Sequence, residues 1–336
     1  MTQAIEGNAE KYLQLPGERI LAYAHSGYPD SEEVVIFFHG VFGVGLVHTE
    51  RPSPPIFEEK RVHFIAPTLP GWGNSSPPPP STSFRDYLYE VTTTLINHLY
   101  NDTTKLRLYI SGGSYGTVPA QMLYGAPYDS FPLGRQIVGL LLGAPFSSPR
   151  AHKEFNKCLS WGNWIAVGTP SQVIPGNLIM RLGSMGMKSN VNTPERARAF
   201  IKKFGFTNLT PEERVAYEKW KEAKEIKSDE EAVAGMAEGV YRSIEKTWEG
   251  FYETANVIHS DWGFSPQTLD EEHSKGPVLV VMTYGDKDTL RMGEWLAGNY
   301  KNGHGRYEHG GHIASMFVMD DIWADFMGRC LVNVNF

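Results

Sequence analysis

Residues 109–120 read Tyr109-Ile110-Ser111-Gly112-Gly113-Ser114-Tyr115-Gly116-Thr117-Val118-Pro119-Ala120. The stretch opens as an apolar run and closes as the start of a helix, with three glycines packed around one serine. A serine held on so tight a corner, between a strand and a helix, is presented rather than buried. Gly112 and Gly116 let the backbone turn and let neighbouring strands approach. The turn lifts the Ser114 hydroxyl to the C-terminal edge of a sheet, beside a helix N-terminus whose N–H groups favour developing negative charge.

The flanking sequence supplies the sheet. Residues 19–25, 33–38, 61–69, 106–111, 136–143 and 277–283 are rich in branched and aromatic side chains and read as strands, with a shorter run at 305–308. Helical periodicity covers 83–100, a segment from about 115, 291–300 and 313–331. Alternating apolar strands and helices predict an α/β fold: a mostly parallel central sheet with helices on both faces. The interval 147–261 breaks the pattern. It carries Thr193-Pro194-Glu195 and Thr210-Pro211-Glu212, each with threonine at a helix N-cap and proline at the first helical position, and a charged run at 211–232. This predicts a helical cap over residues 147–261, inserted into a core formed by 1–146 and 262–336. The cap is where substrate shape would be sensed.

A serine hydroxyl needs a base. Gly310-Gly311-His312 follows the 305–308 run and precedes the last helix, so His312 is the candidate, with His304 and His309 as competitors in the same stretch. The spacing of the three histidines matches no strong zinc pattern, and no metal is expected. An imidazole base needs a carboxylate to hold its tautomer. After the strand 277–283 stand Tyr284-Gly285-Asp286-Lys287-Asp288; either aspartate could serve, and Asp288 is favoured with Asp286 as a turn residue. His39-Gly40-Val41-Phe42-Gly43 follows the strand 33–38. The backbone N–H groups of Val41 and Tyr115 are the candidate donors to an oxyanion.

These pieces together resemble the α/β-hydrolase superfamily: FFHGVFG (37–43), APTLPGWGNS (66–75), GGSYG (112–116), TYGDKD (283–288) and GGH (310–312). The resemblance implies the α/β-hydrolase fold, a Ser114–Asp288–His312 triad, no cofactor and a helical cap after the sixth strand. Its G-x-x-D pattern matches Gly285 to Asp288. Thr68 stands where the family's glycine-rich loop often has an acid. Serine at 114 separates the chain from members with an aspartate nucleophile. The doubled glycine of GGSYG is similar to prolyl-iminopeptidase-like members, which use cap acids; Glu238, Glu245, Glu249 and Glu253 are available in the cap.

The expected activity is cleavage of an ester or related small acyl compound through an acyl-enzyme. The alternatives are a prolyl-type aminopeptidase, or a slow-turnover ligand-binding or lyase member of the fold. Phe42, Trp72, Trp161 and Trp164 are candidate substrate contacts, and Met180, Met185 and Trp248 could extend an apolar pocket. A net charge of −7 gives no basic footprint for a nucleic-acid partner. No run of about 18 apolar residues predicts a membrane span. The first 18 residues show no secretory pattern, so the expectation is a cytoplasmic protein. Two cysteines, Cys158 and Cys330, far apart in sequence, read as free buried thiols. Nothing in the sequence sets an oligomeric state.

Overall fold

In a computed structural model, which describes residues 10–48 and 51–332, eight strands form one sheet. They are β1 (Lys11–Leu15), β2 (Arg19–Gly27), β3 (Glu33–Phe38), β4 (His63–Pro67), β5 (Arg107–Gly113), β6 (Ile137–Gly143), β7 (Val278–Thr283) and β8 (Gly303–Glu308), in the order β1-β2-β4-β3-β5-β6-β7-β8. β1 and β2 are antiparallel, as are β2 and β4; every later pairing is parallel. The fold class expected from the sequence is therefore the one observed. Residues 1–9, which carry half of the stretch read as lacking a leader, lie outside the described residues.

The central strands need helices on both faces. All six residues of β7 are buried, as are Val34, Val35 and Ile36 of β3. The helix Phe84–Leu99 starts where Ser83 accepts from the Asp86 N–H, and it buries Tyr87, Leu88, Val91, Leu95 and Ile96 against the sheet. β1 escaped the sequence reading. It is a five-residue edge strand in which Leu13 and Leu15 face inward while Lys11, Tyr12 and Gln14 face water, too short an alternation to stand out.

Between β6 and β7 the described chain is helical, without a strand. Thr193 and Thr210 are N-caps, as their sequence predicts: Thr193 accepts from Arg196 N and Thr210 from Glu213 N. The charged run resolves into two helices, Pro211–Ala223 and Asp229–Glu245. Their apolar faces, with those of Leu178–Val191 and Pro194–Ile201, build a separate cluster around Val191, Ala197, Tyr217, Trp220, Val233 and Val240. Ala314 and Phe317, just beyond His312, insert into that cluster. The insertion's first two helices, Phe155–Cys158 and Trp161–Val167, and its last, Glu249–His259, instead join the main core through Phe155, Val167, Val257 and Ile258. Cys158 and Cys330 are buried free thiols. Among the described residues no helix is long and apolar enough to cross a membrane.

Candidate active site

Ser114 lies at the end of β5, in a single turn of 3-10 helix before the helix Thr117–Tyr124. Its φ is +52°, a left-handed conformation that costs a serine about 1–3 kcal/mol and persists only where its surroundings enforce it. The surroundings are backbone. A Cβ on Gly116 would lie 2.1 Å from Phe38 O, and one on Gly112 would lie 2.2 Å from Gly116 O, so no larger residue lets β3, β5 and the helix meet this closely. Ser114 is half-buried, while Tyr115 beside it is 1% exposed.

The loop after β3 comes up against the serine: a Cβ on Gly40 would stand 3.3 Å from Ser114 Cβ. His39 pins this loop. Its Nδ1–H donates to Gly40 O at 2.8 Å, and its Nε2 accepts from Leu69 N at 2.9 Å, tying the Val41 segment to the glycine-rich loop after β4. Burial holds the His39 ring near a pKa of about 4, against a smaller opposing effect of the Gly40 bond. The neutral tautomer these two bonds require is thus the stable one. In the second loop Thr68, where an acid is frequent, accepts from Gly45 N at 2.9 Å, and Ser75 donates to Thr68 O at 2.8 Å.

His312 is partly exposed, and its Nδ1–H donates to Asp286 Oδ2. Asp286 replaces Asp288 as the carboxylate at the histidine. It is the N-cap of the helix Lys287–Asn299, placed where β7 runs out, and it also accepts from Thr289 Oγ1 at 2.7 Å and Thr289 N at 3.4 Å. Burial alone would raise its pKa; the hydrogen bond and charge of His312 and the Thr289 donors outweigh that and hold it below the usual carboxylate value. Asp288 lies inside the helix, two residues and some 200° further round. It faces the insertion, where it accepts from Ser160 N, Ser160 Oγ and Asn163 Nδ2 at 2.7–2.9 Å. The D-x-x-T spacing of Asp286 and Thr289 was the available signal for an N-cap aspartate.

The competing histidines are elsewhere occupied. His304 bonds Asn302 at 3.0 Å, and the exposed His309 lies against Tyr284 with ring centres 5.4 Å apart. Among the described residues no group of three His, Cys, Asp or Glu side chains is arranged to hold a metal ion.

Of the four candidate substrate contacts, Phe42 and Trp72 meet near the serine loop, with ring centres 6.2 Å apart; Trp72 also lies 6.3 Å from Tyr115 but is 1% exposed. Trp161 and Trp164 stack on one another at 5.2 Å instead, with Trp161 73% exposed. Met180 is buried and Met185 exposed on the helix Leu178–Val191. Trp248 does join Phe42, at 6.0 Å, together with Phe251 at 5.0 Å and Phe200 at 6.4 Å. Phe204 was not singled out by its sequence. A π-helical turn, Lys202–Phe206, presents its ring 6.2 Å from that of His312 while leaving it 54% exposed. In sequence, Phe200 and Phe204 are only an i, i+4 pair on an amphipathic helix. Glu238, Glu245, Glu249 and Glu253 are all exposed. Three of them bond within the insertion: Glu238 to Arg242, Glu245 to Tyr241, and Glu253 to Asn177 and Asn256.

Residues 35–326 match the model of the alpha/beta hydrolase family, and the chain belongs to that family. No curated protein matches it. Solved structures share its fold at low identity. A hydrolase from Pseudomonas aeruginosa PA01 is 13% identical, with a TM-score of 0.55 over 98% of this chain and 100% of that one. A structure from work on carboxylesterases of the thaumarchaeon Nitrososphaera gargenis is 12% identical, with a TM-score of 0.53 over 96% and 100%. MenH from S. aureus is 11% identical, with a TM-score of 0.51 over 93% and 99%.

Proposed function

We propose that the chain is a serine hydrolase that cleaves an ester or related acyl compound, with Ser114 as nucleophile, His312 as base and Asp286 as its carboxylate partner. The observation that carries the reading is the Asp286–His312 hydrogen bond, set at the strand ends where β5 also delivers Ser114 in its left-handed turn. With Nδ1–H committed to Asp286, Nε2 of a neutral His312 keeps the lone pair that removes the serine proton. Ser114 Oγ attacks the acyl carbon, and the carbonyl oxygen takes up negative charge. The N–H groups of Val41 and Tyr115 are the proposed donors to it. Imidazolium returns the proton to the departing alcohol. Water, activated by the same ring, then cleaves the acyl-enzyme. No cofactor enters this sequence. Residues 147–261 would act as the cap over the reaction, and Phe42 and Phe204 would offer aromatic surface to an apolar acyl or aryl group.

All four candidate cap glutamates are exposed and three of them are bonded within the insertion, which favours the ester reading over a prolyl-type aminopeptidase. The test is reaction with a fluorophosphonate, location of the label by mass spectrometry, and comparison of a short p-nitrophenyl ester with proline p-nitroanilide. Label on Ser114, absent from Ser114→Ala, with faster ester cleavage supports the reading. Faster cleavage of the proline amide turns it to the peptidase, and a folded chain that neither labels nor hydrolyses overturns it.

A further inference from the structure

One peptide unit, Gly310–Gly311, is held from two sides. Its carbonyl oxygen, on Gly310, accepts from Gly285 N at 2.8 Å, in the loop that carries Asp286. Its N–H, on Gly311, donates to Glu213 Oε1 at 2.7 Å. Glu213 belongs to the insertion, on the first turn of the helix Pro211–Ala223, and is 7% exposed. Its other oxygen accepts from Thr210 N at 2.8 Å, so both carboxylate oxygens are committed. Gly310 has φ +112°, and a Cβ there would stand 2.3 Å from Glu213 Cγ; one on Gly285 would stand 2.5 Å from Gly310 O. The next residue after this clamped peptide is His312. Beyond it Ile313 lies against Gly205, and Ala314 and Phe317 are buried in the insertion's own cluster.

We infer that Glu213 is a positioning residue: it sets the backbone from which His312 reaches Asp286, so that the base is correctly placed only when the insertion is seated. This rests on the proposed role of His312. The pairing has a physical logic. Asp286 fixes the ring by one hydrogen bond, which leaves the main chain behind it free to pivot. Two glycines in succession make that pivot easy. Fixing both polar groups of the peptide between them removes it, and the fixing group comes from the insertion rather than from the sheet.

The experiment compares Glu213→Ala, Glu213→Gln and Thr210→Ala in the full chain. Thr210→Ala removes the hydroxyl that caps the same helix but leaves the Gly311 contact in place. Three quantities are read: kcat and KM for a p-nitrophenyl ester, and hydrogen–deuterium exchange of the segment 308–313. Glu213→Ala is expected to lower kcat by roughly tenfold to a hundredfold, with KM nearly unchanged, and to speed exchange at 310–312. Glu213→Gln, which keeps one carbonyl acceptor, is expected to restore most of kcat. Thr210→Ala is expected to move neither. Equal losses in Thr210→Ala and Glu213→Ala would reduce Glu213 to a helix cap and overturn the inference. So would unchanged exchange in Glu213→Ala, whatever the activity, and so would loosened exchange with full kcat. If the unmodified chain neither labels nor hydrolyses while exchange still answers to Glu213, the hydrolase reading fails and the clamp stands.

Discussion

Asp286 and Asp288, two positions apart, serve opposite partners: Asp286 accepts a hydrogen bond from His312 Nδ1–H, and Asp288 accepts from the N–H and hydroxyl of Ser160 and the amide of Asn163. The start of a helix between them makes the difference. One carboxylate is left at the strand end and the other is carried round to the insertion.

Asp286→Asn and Asp288→Asn should therefore separate chemistry from assembly. The first is expected to lower kcat on the order of 10³–10⁴-fold with the fold intact, since the ring loses the partner that selects its tautomer. The second leaves donors from Ser160 and Asn163 poorly matched. It is expected to cost about 1–3 kcal/mol of stability in a denaturant titration, with a much smaller effect on kcat. The reverse result would restore Asp288 as the triad acid.

Acid stability should report three buried neutral histidines. Lys11 Nζ donates to His25 Nε2 at 2.6 Å, His25 Nδ1–H to His63 Nε2 at 2.7 Å, and His63 Nδ1–H to the Tyr100 hydroxyl at 2.5 Å, a direction that the donor-only lysine imposes. Burial first, and then neighbouring positive charge from Lys11, puts His25 at about 4; burial, His25 and Lys11 put His63 at about 3, with Asp30 opposing. His39 stands at about 4. All three lie below the unfolded value of about 6.5, so between pH 6.5 and 4 the unfolded chain binds protons that the folded chain refuses. The contribution of these histidines is fully present above pH 6.5 and is lost on acidification, by up to about 1.4 kcal/mol per pH unit for each histidine. Urea midpoints across that range check it, and His63→Asn should make the slope shallower.

Gly116→Ala should disturb the site from beneath. The new methyl would meet Phe38 O at 2.1 Å and His39 O at 2.6 Å, both backbone atoms. A loss of about 1–3 kcal/mol is expected, together with slowed fluorophosphonate labelling because the His39–Gly40 segment must move. Normal labelling would mean that the loop after β3 is not coupled to the serine.

Phe204 and Trp161 are both exposed aromatics of the insertion, but only Phe204 lies beside His312. Phe204→Ala is expected to change stability by no more than about 0.5 kcal/mol. It should raise KM for a bulky aryl or long-chain ester by roughly tenfold relative to an acetate ester. Trp161→Ala should leave that ratio unchanged. Equal effects would remove Phe204 from the substrate surface.

Much of this protein was legible along the chain. Seven of the eight strands, the serine corner and both threonine-capped helices declared themselves, because each depends on residues within a few positions of one another: alternation, a glycine where backbone must meet backbone, a hydroxyl three residues before a free N–H. β1 was too short and too polar for that reading. The partner of His312 was beyond it as well, since choosing between Asp286 and Asp288 requires knowing at which residue a helix begins and what stands on its two sides. The same holds for Phe204, an ordinary amphipathic-helix residue until a π-helical turn swings it to the histidine, and for Glu213, an ordinary capping-box glutamate until Gly311 is brought 98 positions back to meet it. Local backbone preferences are written in neighbouring residues. Which side chain completes a site is decided by the packing of segments far apart in sequence, and only the folded chain contains that information.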